Sequence, residues 1–217
     1  AGVGSCVAEV ISWLESKEKR CRYFICINPH SVETALVDQP FLQSFMDGDL
    51  VIPDGIGVSM ASWVMGGKIR GRVTGSDMFD GLHTALNRRS GGGRCFFLGS
   101  TPENLEKIQK KMAQDYPNVT VAGVYSPPFK AQFDEADDRL MVEMINQADV
   151  DLLWVGMTAP KQEKWIHRNR HRLQVSVAGP LGAVFDCHHG NSHRSSLFFH
   201  HAGLERLLPC SPAPRLR

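Results

Sequence analysis

Short β-rich apolar runs alternate along the chain with longer stretches of helical periodicity, and that alternation restricts it to an α/β fold. The strand candidates are Tyr23 to Ile27, Leu50 to Ile52, Arg94 to Leu98, Val119 to Val124, Leu152 to Val155 and Val175 to Ala178. A first helix is expected from about Val7 to Glu15. Helical patterns fill most of the gaps, among them Val58 to Met65, Met78 to Asn87, Glu103 to Tyr116, Asp134 to Gln147 and Pro160 to Arg170. Strands joined by crossover helices pair in parallel, so the expectation is a mostly parallel sheet flanked by helices on both faces. At 217 residues there is room for one sizeable domain and a tail. The α/β body is assigned to residues 1–190 and a short C-terminal appendage to residues 191–217, where the prolines at 209, 212 and 214 cannot continue a helix.

Charge and cysteine usage exclude several classes. Lys plus Arg is 24 against 23 Asp plus Glu, so no global field attracts nucleic acid or an anionic membrane, and any anion site must be local. No apolar run approaches the roughly 18 residues that span a bilayer. The N-terminal AGVGSCVAEVISWLES lacks the basic start and apolar core of a signal peptide, so a cytosolic location is expected. Cys6, Cys21, Cys26, Cys95, Cys187 and Cys210 form no CxxC and read as inert thiols rather than a zinc ribbon or a disulfide scaffold.

Open parallel sheets bind ligands at the carboxyl ends of their strands, which directs attention to the strand-to-helix turns. Two of them look alike: Phe97-Leu98-Gly99-Ser100-Thr101-Pro102-Glu103, and the run from Trp154 through Gly156, Met157, Thr158, Ala159 and Pro160 to Glu163. Each has a Gly at the strand end, a hydroxyl residue able to cap and a Pro in the first helical turn. Such a Gly lets a ligand approach the backbone, where helix N–H groups hold a phosphate; the plain alternative is an ordinary βα turn. Ser100 and Glu103 have the spacing of a capping box. Lys161 and Gln162 add a cation and an amide at the second mouth. In a third turn, Pro53-Asp54-Gly55-Ile56-Gly57, Asp54 stands where either a strand-end catalytic acid or a helix N-cap would stand. The segment Gly71 to Asp77 then offers Ser76 as a helix cap and Arg72 as a fork-shaped donor for phosphate or carboxylate.

Taken together, Cys26-Ile27-Asn28-Pro29-His30, Pro53 to Val58, Arg72 to Asp77, Gly99-Ser100, Val155 to Ile166, Gly182 to Asp186, Gly190, Arg194 and Gly203-Leu204-Glu205 resemble the WecG/TagA/CpsF family of bacterial glycosyltransferases, in order and over nearly the whole chain. The resemblance implies a Rossmann-like fold and transfer of N-acetylmannosamine, its uronic acid or a hexose from a UDP-sugar. The implied acceptor is a polyprenyl-diphosphate-linked saccharide at the cytoplasmic face of the bacterial membrane, in surface polysaccharide biosynthesis such as that of wall teichoic acid. It also implies an inverting, metal-independent reaction with no cofactor. Asp54 matches the family's catalytic base. Cys26, Asn28, His30, Gly55, Arg72, Thr74, Gly75 and Ser76 correspond to substrate-binding positions, and Gly99, Ser100, Gly156, Thr158, Pro160, Lys161, Gln162 and Glu163 to nucleotide-binding ones. Cys26 stands where some family members carry Thr, and a thiol is a weaker hydrogen-bond partner. Family members continue through a Trp-containing, Arg-rich helical appendage that contacts lipid, so this tail is expected to be shortened and its peripheral membrane contact weak.

Rival readings rest on smaller features. Asp47-Gly48-Asp49 and Asp149-Val150-Asp151 spell DxD, a carboxylate pattern that can hold a divalent ion, yet both sit just before a strand, where acidic turn residues are common. His188, His189, His193, His200 and His201, and the i, i+4 pair His167 and His171, lack an HExxH framework. A dinucleotide-dependent oxidoreductase is permitted by the fold class but no GxGxxG supports it. A catalytically weak sugar-nucleotide-binding subunit is the non-enzyme alternative. The basic run His167 to Arg172 is explained by a helix C-terminus rather than by nucleic acid. Met60, Trp63 and Val64 stand at i, i+3, i+4 and read as a core stripe; the alternative is a groove for the lipid-linked acceptor or a homo-oligomer interface.

Overall fold

The computed structural model describes residues 2–16, 18, 20–54, 56–64, 66 and 73–181. Its strands are β1 (Arg22–Ile27), β2 (Leu50–Pro53), β3 (Gly93–Gly99), β4 (Val119–Tyr125), β5 (Leu152–Gly156) and β6 (Val177–Pro180). They form a parallel sheet in the order β2-β1-β6-β5-β3-β4. The helices are α1 (Val3–Glu15), α2 (Pro29–Val37), α3 (Gln39–Met46), α4 (Ile56–Val64), α5 (Gly75–Arg88), α6 (Pro102–Asp115), α7 (Glu135–Gln147) and α8 (Lys161–Asn169).

Side chains alternate across the pleat, and here both sets are apolar. Phe24, Cys95, Phe97, Leu152 and Trp154 join one core, while Tyr23, Ile25, Phe96, Leu98, Leu153 and Val155 join the other. Each face therefore needs a helical cover. Val10 of α1, Leu82 of α5 and Ile108 of α6 cover the first; Met141 and Ile145 of α7 and Trp165 and Ile166 of α8 cover the second. Trp154 is fully buried, and its indole N–H donates to His83 Nε2 at 3.2 Å. A neutral imidazole that accepts at Nε2 carries its proton on Nδ1.

Two helices between β1 and β2 depend on local caps that the apolar pattern does not show. Asn28 Oδ1 accepts from Ser31 N at 3.0 Å to start α2, and Asp38 Oδ1 accepts from Phe41 N at 3.0 Å to start α3. The last strand begins at Val177 rather than Val175. The free cysteines are Cys6, Cys21, Cys26 and Cys95 among the described residues, and burial pushes the thiols of Cys21 and Cys95 up to about 12.

The acidic pairs brace the sheet's amino-terminal edge. Asp49 Oδ2 accepts from Tyr23 N at 3.1 Å, and Asp151 Oδ2 accepts from Arg94 N at 2.9 Å. Asp47 lies 2.8 Å from His167 Nε2, a hydrogen bond that lowers its carboxyl below the usual range. These carboxylates thus serve strand starts at the edge opposite the ligand-binding one. No group of three or more His, Cys, Asp or Glu suited to a metal ion occurs among the described residues.

The expected core stripe on α4 is overturned: Met60, Trp63 and Val64 are 59%, 77% and 76% exposed. The sheet ends at β2, so a helix leaving that strand finds no further strand to cover. The histidines at 188 to 201, the segment Gly182 to Asp186, and the proposed appendage at 191–217 lie outside the described residues, as do Cys187 and Cys210. Among the described residues no helix is long and apolar enough to cross a membrane.

Candidate functional site

Helix α6 leaves β3 toward one face of the sheet and α8 leaves β5 toward the other, although β3 and β5 are neighbours. The diverging exits open a crevice at the carboxyl edge, the switch point of the topology. Gly99 and Gly156 end the two strands in direct register. A Cβ on Gly99, whose φ is 111°, would stand 2.3 Å from the Gly156 carbonyl oxygen, so only glycine permits this approach. Ser100 N then donates to that oxygen at 3.0 Å. Ser100 and Thr158 occupy matching places in the two loops with left-handed φ values of 61° and 64°, uncommon for residues with side chains.

The crevice is a cleft of about 450 Å³. Gly99, Ser100, Gly156 and Thr158 line it, Lys161 reaches in from α8, and the loop from Pro127 to Phe133 forms the remaining wall. Thr101, not Ser100, caps α6: its backbone is extended, as an N-cap requires, and its Oγ1 accepts from Asn104 N at 3.2 Å. Asn104 Nδ2 donates to Ser100 Oγ at 3.1 Å, and Ser126 Oγ donates to Ser100 O at 2.7 Å. Lys161 Nζ lies 3.8 Å from the centroid of the Phe133 ring and donates to the Lys130 carbonyl. Desolvation lowers its pKa from the ordinary lysine value. Two helix N-termini and a lysine thus converge on one cleft, an arrangement suited to an anion. Sequence reasoning missed Asn104, Ser126 and Phe129. The signal for Phe129, a fully exposed aromatic on the rim, is the stiff Pro127-Pro128 pair that presents it.

A second cluster gathers around the end of β2. Asp54 is half-buried, and its N–H donates to Ile27 O at 2.7 Å; Val73 N–H donates to Pro53 O at 3.3 Å. These bonds bring the ends of β1 and β2 to the start of α5. Cys26 stands beside Ile52 in the ladder. Burial, then the carboxylates of Asp54 and Glu163, raise its thiol well above the usual value. Thr74, not Ser76, caps α5 through a reciprocal box with Asp77, at 3.1 and 2.8 Å, so Gly75 and Ser76 fall in the first helical turn. The Asn28 carbonyl oxygen is engaged as the α2 cap, and His30 is exposed, 4.0 Å from Glu33. Gly55 and Arg72 lie outside the described residues.

Gln162 and Glu163 lie between the two groups and do not line the cleft. They are 4% and 3% exposed. Gln162 Oε1 accepts from Met157 N at 3.3 Å while its Nε2 donates to Glu163 Oε1 at 2.9 Å. Burial pushes the Glu163 carboxyl up to about 6. Pro160, which follows a cis peptide bond, occupies the N-cap position of α8.

Fold and site define an α/β protein with an anion-suited cleft at its switch point and a carboxylate at a nearby strand end. Residues 3–216 match the family model described as the Glycosyl transferase WecG/TagA/CpsF family; the chain belongs to that family and is a glycosyltransferase. It is 30% identical over 179 residues to the N-acetylglucosaminyldiphosphoundecaprenol N-acetyl-beta-D-mannosaminyltransferase of Bacillus subtilis (strain 168), covering 82% of this chain and 67% of the relative. The protein of that name from Bacillus spizizenii is 28% identical over 200 residues, 91% of this chain and 75% of the relative. The one from Staphylococcus aureus (strain NCTC 8325 / PS 47) is 26% identical over 185 residues, 84% and 69%. Membership of a transferase family removes the footing of the oxidoreductase alternative.

Proposed function

We propose that this chain transfers N-acetylmannosamine from its UDP derivative to a polyprenyl-diphosphate-linked saccharide, with inversion and without a metal ion, in cell-envelope polysaccharide synthesis. The names of the relatives supply the sugar, the lipid-linked acceptor and the β product. The observation that carries the reading is the placement of an anion-suited cleft and of Asp54 on one edge of the sheet. The diphosphate lies in the cleft, with Lys161 and the N-termini of α6 and α8 meeting the charge that develops as UDP departs. Asp54 takes the proton of the acceptor hydroxyl as that oxygen attacks the anomeric carbon from the face opposite UDP. Phe129 offers a stacking surface for the uracil ring.

The acceptor reaches Asp54 past an apolar surface. Leu36 and Val37 of α2 and Met60, Trp63 and Val64 of α4 are exposed, and the N-terminal ends of the two helices meet where Gly57 faces Pro29. This surface would hold the enzyme peripherally against the membrane that carries the lipid.

Mixing the protein with UDP-N-acetylmannosamine and a short-chain polyprenyl-diphosphate-linked N-acetylglucosamine is expected to give UDP and a β-linked disaccharide, at a rate EDTA does not change. Absence of product defeats the reading, and EDTA inhibition reversed by Mg²⁺ or Mn²⁺ defeats its metal-independent part. For the cleft, Lys161→Ala and Phe129→Ala are each expected to weaken UDP binding about tenfold by calorimetry, from loss of one charge-assisted contact and one stacking platform respectively. Unchanged affinity in both variants would place the nucleotide elsewhere.

A further inference from the structure

Glu163 is a buried acid to which the mechanism above gives no part. Its Oε1 accepts from Gln162, but its Oε2 has no hydrogen-bond partner among the described residues. The other buried acid among the described residues, Asp138, differs: its oxygens take the indole N–H of Trp165 at 2.9 Å and the guanidinium of Arg168 at 2.7 Å. A buried acceptor without a donor is costly and calls for an explanation, such as a role at a functional site.

The place of this oxygen narrows the ligand. Helix α8 rises from β5 and packs on β5 and β6, and the Glu163 carboxyl is close enough to β1 to act on the Cys26 thiol together with Asp54. It therefore stands between the β5–β3 cleft and the end of β2. Neighbouring strands lie about 4.8 Å apart, so the three intervals from β2 to β5 span roughly 15 Å. A diphosphate seated in the cleft and an acceptor at Asp54 leave the donor's hexose ring to occupy that interval. A carboxylate is also a poor neighbour for a diphosphate, since like charges repel, and a good one for a neutral ring of hydroxyl donors.

Resting on the sugar-nucleotide function proposed above, we propose that Glu163 reads the donor sugar: its Oε2 accepts a hydrogen bond from a hydroxyl or the acetamido N–H of the hexosamine ring, while Gln162 holds Oε1. Gln162 also grips the Met157 amide, so the sugar contact is tied to the loop that lines the cleft. The roles along α8 then divide by direction, with Lys161 serving the nucleotide and Glu163 the sugar.

The test compares UDP and UDP-N-acetylmannosamine on the wild type and on Glu163→Gln by calorimetry, with thermal unfolding in parallel. The variant is expected to bind UDP as the wild type does and the sugar nucleotide at least about tenfold more weakly, the effect of losing a hydrogen bond to a charged group. Its thermal midpoint near neutral pH is expected to rise, because burial opposes ionisation of the native carboxyl. Equal sugar-nucleotide affinity in the two proteins overturns the inference alone; so does parallel loss of both ligands, which marks a structural or nucleotide role. A wild type that binds neither ligand overturns the sugar-nucleotide function and this inference with it. Should Glu163→Gln not fold, Glu163→Asp, which keeps the charge and withdraws it by one methylene, is held to the same expectations for the two ligands.

Discussion

Asp54→Asn is expected to lower the transfer rate by about a thousandfold while leaving UDP affinity close to that of the wild type. Asparagine keeps the size and the polar oxygen of aspartate but cannot take a proton from the acceptor hydroxyl, so the loss should fall on the chemical step. The backbone around it does not depend on the side chain's charge: Asp54 N–H donates to Ile27 O at 2.7 Å, and Val73 N–H to Pro53 O at 3.3 Å. The cleft proposed for the nucleotide lies at the ends of β3 and β5, with β1 and β6 intervening between it and β2. Single-turnover transfer at saturating donor, together with UDP calorimetry, separates the two terms. A turnover within about threefold of wild type would remove Asp54 from proton transfer, since a positioned base contributes at least about a hundredfold. Loss of UDP binding in step with turnover would instead make it a structural residue.

Periodicity carried the fold a long way because the strands are buried on both faces and read as continuous apolar runs, such as Cys95 to Leu98. Strand order was not legible. That β6 inserts between β1 and β5 is a tertiary choice, and it decides that the residues following β5 stand near Cys26. The candidate site was legible as segments and not as directions. Lys161-Gln162-Glu163 reads as one run, but successive helical residues point about 100° apart. In the structure Lys161 faces the cleft, while the side chains of the next two are buried behind it. Phe129 escaped notice for a related reason: the loop from Ser126 to Phe133 has no periodicity, and only the folded structure puts its aromatic ring on the same cleft as Gly99 and Gly156. The exposed stripe on α4 shows the limit from the other side, since apolar spacing marks a face without saying what covers it.

Gly99→Ala is expected to destabilise the protein by about 3 to 5 kcal/mol, combining an unfavourable φ with forced overpacking. The added carbon would sit 2.3 Å from the Gly156 carbonyl oxygen and 2.7 Å from its carbonyl carbon, and both are backbone atoms. They have little room to retreat, because Gly156 is paired with Gly99 in the ladder and its oxygen accepts from Ser100 N. A chain of this length loses roughly 2 to 4 °C of thermal midpoint per kcal/mol, so a fall of about 10 °C is expected. Gly91 isolates the two causes. Its φ of 88° is also positive, but a Cβ there meets nothing within 4 Å, so Gly91→Ala carries the backbone strain without the collision. Its cost is expected to be about 1 kcal/mol. Equal destabilisation in the two variants would show that the close approach of β3 and β5 contributes nothing. If the collision is real, its relief must part the ends of those strands and carry Ser100 and Thr158 apart. Gly99→Ala that remains folded at low temperature should then bind UDP more weakly than Gly91→Ala, which links a glycine whose Cβ would strike the backbone of the neighbouring strand to the cleft it shapes.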